Sequence, residues 1–268
     1  MNHIERKLAA APKNYTYILF ITLIVTGLFV WSATAVNVNG IEVSGLAIAK
    51  SIVSGIFTPD LELLLSFNTQ GVAYLLVETI AIAFLGTLIG SILAIPLAFL
   101  SASNIVPKPI AFVTRLFLIF IRTVPALVYG LMFIRVTGPG PFAGVLTIGL
   151  TSIGMLAKLY VDAIENLDTS ILESLTSIGC TTFEKIRYGI IPQLISMFLS
   201  IMIYRFDINL RDASVLGLVG AGGIGAPLIF AMNAYRWNEV GSILVGLIIL
   251  ILIVEFVSNK LRSKLING

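Results

Sequence analysis

Long apolar runs separated by short polar passages set the plan of this chain. The runs are ILFITLIVTGLFVWSATAV (18–36), GVAYLLVETIAIAFLGTLIGSILAIPLAFL (71–100), a stretch from about Ile110 to Ile134, another from about Ala143 to Ala163, one that starts near Pro192, and one from about Val240 to Ser258. Each reaches the ~20 residues that a helix rising ~1.5 Å per residue needs to cross ~30 Å of hydrocarbon. No alternating ten-residue segments suggest a barrel, and a helix is the other way to satisfy every backbone amide in lipid. The pattern therefore predicts an all-α integral membrane protein with about six transmembrane helices. Between the runs, VTGPGPF (136–142) is turn chemistry, and no internal repeat is evident.

Composition sharpens this picture. Hydrophobic residues make up 57% of the chain and charged residues 12%, about half the charged share of a soluble domain. The basic N-terminus followed by an apolar run has the look of a signal peptide, but the run at 18–36 is longer than an ordinary signal core and reads as a retained first span. Lys and Arg are retained on the cytoplasmic side. With the N-terminus inside, that side holds Arg6, Lys7, Lys13, Lys108, Arg115, Lys185, Arg187, Lys260, Arg262 and Lys264, against Lys50, Arg135 and Arg236 opposite. Both termini are then expected in the cytoplasm of a plasma-membrane protein, and the segment 37–70, with PDLE at 59–62, lies outside with room for a short surface helix.

Several chemistries are excluded. With Cys180 the one cysteine and His3 the one histidine, there is no internal disulfide, no His/Cys/carboxylate cluster for a metal, and no base for a hydrolytic triad. No GxxxxGK[ST] phosphate loop occurs. The glycine-rich GLVGAGGIGAP (217–227) has no preceding strand and no βαβ surroundings, so it reads as a tight turn or close helix contact. No nucleic-acid partner is expected.

Charges inside the apolar runs are costly and mark paired or water-facing positions. In YRFDINLRDAS (204–214), Asp207 and Arg211 are an i, i+4 pair with the acid first, the favourable order for a structural ion pair. Arg205, Asn209 and Asp212 form a separate stripe, which either holds the bundle together or lines a path where guanidinium donors meet an anion. Arg122, beside Pro125, is likewise either a snorkelling or a path residue.

The passage ESLTSIGCTTFEKIRYGIIP (173–192) mixes acids, bases, a glycine and a proline between two runs. Leu172, Leu175, Ile178 and Thr182 recur at helical spacing, with Glu173 and Glu184 on other faces, which predicts a short amphipathic helix with Gly179 inside it. Glycine costs roughly 1 kcal/mol in a helix, and close approach of another backbone is one reason to accept it. Pro192 suits the first turn of the following span. The result is a helix, a turn and a re-entry that can dock a partner.

The order Glu173-Ser-Leu175, three residues, Gly179, nine residues, Gly189-Ile-Ile-Pro192 resembles the Glu-Ala-Ala loop of permease subunits in binding-protein-dependent ABC importers. The spacing agrees throughout, while Ser174 and Leu175 replace two alanines, Gly189 an isoleucine and Ile191 a leucine. The likeness runs from about residue 72 to 258, and the stretches 78–90, 122–146 and 211–225 resemble the phosphonate-uptake branch. It implies a type I ABC importer permease fold: a core at 72–259 with the coupling loop 164–192, preceded by 1–71 and followed by a tail at 260–268. It also implies a second permease copy, two cytoplasmic ATPases that use ATP and Mg²⁺, and an external substrate-capturing lipoprotein. Glu173, Leu175, Ile178, Gly179 and Pro192 would then couple to the ATPase, and the cargo would be a phosphonate or related phosphorus oxyanion, with phosphate or phosphite as alternatives. A self-sufficient secondary transporter would favour an inverted repeat, and a membrane enzyme would need a facing base and nucleophile. Neither is seen in the sequence.

Overall fold

The computed structural model describes residues 15–35, 43–167 and 169–267, all of whose regular structure is helical. The helices are α1 (Tyr15–Ala35), α2 (Val43–Phe57), α3 (Leu61–Leu65), α4 (Val72–Ser101), α5 (Lys108–Thr123), α6 (Ala126–Thr137), α7 (Pro141–Glu165), α8 (Thr169–Ser177), α9 (Thr182–Gly217), α10 (Gly225–Asn233) and α11 (Trp237–Asn267). Five of them are long and apolar enough to cross a membrane, or six if the bent pair α5 and α6 counts as one span. The chain is a multi-pass membrane protein.

By contacts it divides into two units, Met1–Lys50 and Ser51–Gly268. In the first, α1 buries none of its residues. The segment read as external holds α2 and α3, the latter started by Asp60, whose carboxylate accepts the amides of Glu62 and Leu63. The expected core boundary at 72 falls after these helices, and the expected tail at 260 continues α11 without a break.

In the second unit α4 and α7 make the closest pairing. A Cβ on Gly86 would lie 2.7 Å from Cβ of Ile148, and one on Gly90 would lie 2.7 Å from Cβ of Ser152 and 2.8 Å from the Gly149 carbonyl. Where lipid is as apolar as leucine, small residues that let backbones meet supply the association. Around this seam sit two apolar clusters, one with Leu118, Leu156, Tyr160 and Leu194 toward the end of the bundle carrying 101–108 and 165–190, the other with Ile82, Ile148, Leu210 and Leu216 toward the opposite end. These ends are called the loop end and the glycine end below. At the loop end Ser91 and Tyr160 hydroxyls pair at 2.7 Å, so the tyrosine is not left unsatisfied in the core.

Two expectations about elements are refined. The third run is not one straight helix: α5 and α6 meet at 82°. Pro125 has no amide and pushes Val124 into extended backbone, φ −84°, ψ 125°. The Ile121 carbonyl, which would have accepted the missing amide, accepts the Tyr129 hydroxyl instead at 3.1 Å. Pro192 does take the first turn of the regular α segment Ile191–Gly217, as expected, but it is not where the helical backbone begins. Helical backbone already starts at Thr182, behind a capping box in which Thr181 and Glu184 satisfy each other's amides. Between the capping box and Pro192, Lys185–Ile190 is a π-helical turn, closed by the Ile191 amide on the Ile186 carbonyl.

Candidate functional site

The polar stripe of α9, in the last third of that helix, meets α4 and α7 near their midpoints. Asn209, fully buried, donates its amide to the hydroxyls of Thr87 on α4 at 2.7 Å and Ser152 on α7 at 2.8 Å. Arg205 is 8% exposed, donates through Nε to the same Ser152 hydroxyl at 3.4 Å, and pairs with Asp212 at 3.6 Å. The stripe Arg205, Asn209, Asp212 is therefore one cluster, as its spacing predicts, and it locks α9 onto the α4–α7 seam. The Asn209 carbonyl oxygen is buried without a hydrogen-bond donor. Asp212 remains partly exposed at the edge of the cluster.

On another face of α9, Arg211 pairs with Asp207 at 3.1 Å, the predicted i, i+4 bridge, and also with Glu255 on α11 at 3.3 Å. The second acid was missed in the sequence because it lies in an apolar run far along the chain. Arg211 thus ties α9 to α11.

Arg122 does not join the Arg205 cluster. Its Cγ and Cδ lie over Gly154, where any Cβ on the glycine would collide with them. At ~100° per residue, Gly154 and Ser152 point from opposite sides of α7. The two arginines therefore occupy separate environments.

At the loop end α8 stops at Ser177, and Gly179 lies beyond it rather than inside it. Its φ is +83°, the Cys180 amide returns to the Leu175 carbonyl at 3.0 Å, and the Gly179 amide to Thr176 at 3.0 Å. This is the glycine C-cap with both of its return bonds. No atom lies within 4 Å of a built Cβ, so left-handed backbone, not close approach, is what requires glycine.

Leu175 does not face outward with Ile178. Its side chain covers Gly189, which explains the small residue at a position where the Glu-Ala-Ala pattern has isoleucine. Ile178 is 75% exposed, as are the unforeseen Phe183 (68%) and Tyr188 (67%), and Glu173 is exposed beside them. The side chain of Leu172 lies outside the described residues.

The opposite end is closed by the glycine-rich turn. Gly220, Gly222 and Gly223 have positive φ, the Gly223 amide donates to Glu78 at 2.8 Å, and the Ile224 amide to Thr79 at 3.0 Å. The Gly140 amide in the α6–α7 turn reaches the Gly220 carbonyl at 2.9 Å. A cavity of about 760 Å³ opens beside these turns. Among the described residues no group of His, Cys, Asp and Glu could hold a metal ion.

This arrangement of crossing spans, a polar centre and an exposed loop can be set beside known proteins. The chain is 35% identical over 189 residues to the phosphite transport system permease protein PtxC of Stutzerimonas stutzeri, covering 70% of this chain and 69% of that one. With the phosphate-import permease protein PhnE of Mycolicibacterium smegmatis it shares 37% over 197 residues, 73% of this chain and 37% of that longer one. In fold it superposes on a chain of the inward-facing MetNI methionine ABC transporter with a TM-score of 0.64 at 18% identity, covering 74% of this chain and 99% of the other. Residues 94–262 match the family described as binding-protein-dependent transport system inner membrane component, and the chain belongs to that family.

Proposed function

We propose that the chain is the permease subunit of an ATP-driven importer that carries a phosphonate or a related phosphorus oxyanion, such as phosphite or phosphate, into the cell. Two copies would form the pore. A separate pair of cytoplasmic ATPases would use ATP and Mg²⁺, and an external lipoprotein would deliver the anion. The observation that carries the reading is that two relatives, at 35% and 37% identity, are named for phosphite transport and phosphate import. Arginines in the apolar core fit such a cargo, since guanidinium donors match phosphorus oxyanion oxygens in geometry and charge.

The loop from α8 to the start of α9 would receive force from the ATPase. The apolar side chains it presents are Ile178, Phe183 and Tyr188, with Glu173 at the rim. Leu175, Gly179 and Pro192 act in this reading by shaping the loop: Leu175 seats it on Gly189, Gly179 turns it, and Pro192 follows the π turn. For the path, Arg205, Asn209 and Asp212 are the first candidates, with Arg122 as a separate one.

The test is ATP-dependent uptake of methylphosphonate, phosphite and phosphate by the complex reconstituted with its ATPase and binding protein. At equal membrane abundance Arg205→Ala is expected to lose more uptake than Arg211→Ala, because Arg211 acts as a bridge between helices. A complex that moves none of the three anions, while hydrolysing ATP in response to a different solute, would overturn the substrate assignment. Normal uptake by Arg205→Ala beside abolished uptake by Arg211→Ala would overturn the path assignment.

A further inference from the structure

A second polar site lies on the other side of α7, between α5 and α7 near the end of α4. It is a pocket of about 220 Å³ lined by Arg115, Arg122, Lys158, Ser101, Asp162 and Glu165 among apolar neighbours. That is space for roughly seven waters at ~30 Å³ each. Arg115 is committed: it pairs with Glu165 and donates through Nε to the Ser101 carbonyl at 2.9 Å. Glu165 is occupied in turn by the amide and hydroxyl of Ser103. Arg122 and Lys158 are different. Both are exposed in this chain, and among the described residues neither has an ion-pair or hydrogen-bond acceptor.

Their depth makes this significant. Along α7, Lys158 lies about 10 Å, and Gly154 beneath Arg122 about 16 Å, inward from Glu165 at ~1.5 Å per residue. Cations at such depth do not face lipid tails unpaired; they face water, a partner charge or a ligand. The absent side chain at Gly154 lets the Arg122 stem lie flat on α7, into the pocket. Ser101, fully buried in the pocket wall, has a hydroxyl without a hydrogen-bond partner.

We infer that Arg122 and Lys158 form a binding site for a tetrahedral phosphorus oxyanion group, with the Arg115–Glu165 bridge at its loop end. The inference rests on the proposed cargo for the identity of a free anion, and it adds Lys158 and the pocket to the path. A free phosphonate and the phosphate of an anionic lipid share this chemistry. The positions of Arg122 and Lys158 favour the free anion, because a headgroup belongs near the level of Glu165 and Arg115. Asp162, exposed one turn beyond Lys158 and without an ion pair, sets a negative charge at the loop-end mouth, which favours release over retention there.

The experiment uses the full permease–ATPase complex in nanodiscs of a phosphorus-free galactolipid, so that ³¹P signals come only from what is added. Methylphosphonate should bind saturably to the wild type, at least tenfold more weakly to Lys158→Gln and Arg122→Gln, and near normally to Lys158→Arg, which keeps the charge. Equal binding by wild type and both glutamine variants would overturn the site. In a second arm phosphatidylglycerol is added: displacement of methylphosphonate only in the wild type assigns the same site to lipid phosphate as well, while absence of displacement reserves it for the free anion. If the wild type binds and transports no phosphorus oxyanion, the cargo reading falls and the site is judged by phosphatidylglycerol retention alone. Retention lost in Lys158→Gln then supports the site, and unchanged retention overturns it.

Discussion

Gly179 shows how one residue can carry a different duty from the one its spacing suggests. Placed by period alone it belongs inside an amphipathic helix, yet its φ of +83° and the two return bonds from Gly179 and Cys180 make it the stop signal of α8. Left-handed backbone costs a residue with a Cβ roughly 1–2 kcal/mol, less for Asn, whose side chain can bond locally. Gly179→Leu should therefore raise hydrogen exchange at the amides of 179 and 180 by a factor of about 5–30, and Gly179→Asn by clearly less. Exchange mass spectrometry of the purified complex reads this directly. Equal effects of Leu and Asn would mean that bulk, not backbone conformation, is what the position resists. The same residue scale explains Leu175: helical spacing groups it with Ile178, but Gly189 leaves a gap that only the folded loop reveals, and Leu175 fills it.

Among the elements, the spans themselves were legible because crossing hydrocarbon imposes a length on apolar runs, and α4 and α7 lie within two residues of the runs 71–100 and 143–163. The Asp207–Arg211 bridge was legible for the same kind of reason, being local to one helix. Contacts between helices were not: Asn209 with Thr87 is 122 residues apart, and nothing at either position announces the other. The break between α5 and α6 was half legible, since Pro125 marks it but apolar residues on both sides disguise an 82° bend as a straight helix. Tyr129 now supplies the donor that Pro125 lacks. Replacing both, Pro125→Ala with Tyr129→Phe, restores the amide and removes its substitute, so the two helices should join. Spin labels at residues 112 and 136, 12 residues either side of Val124, would move from about 27 Å apart to about 36 Å at ~1.5 Å rise per residue. Pulsed electron resonance distances that stay at the bent value would show that packing against α7, rather than the missing amide, holds the angle.

At the scale of the whole molecule the two ends differ in chemistry, and that difference orients it. The loop end carries Lys108, Arg115, Lys185 and Arg187, and α11 runs toward it with Lys260, Arg262 and Lys264 on its last turns. The glycine end has Arg236, paired with Glu239, and Arg135 at the end of α6. Because basic segments are retained on the cytoplasmic side, the loop end should face the cytoplasm and the 760 Å³ cavity beside the glycine turn should face outward. This orientation also makes functional sense of the distribution of exposed apolar side chains, for Ile178, Phe183 and Tyr188 then lie where a soluble ATPase can reach them. On a Cys180→Ser background, a cysteine at exposed Asn233 should react with an impermeant maleimide added to intact cells, whereas one at exposed Ser177 should react only after permeabilisation. The reverse pattern would place the basic loop outside, where no ATP is available, and would remove the loop from any role in coupling. Labelling at both positions in intact cells would instead indicate two orientations in the membrane, and the asymmetry of basic residues would then be too weak to fix the topology.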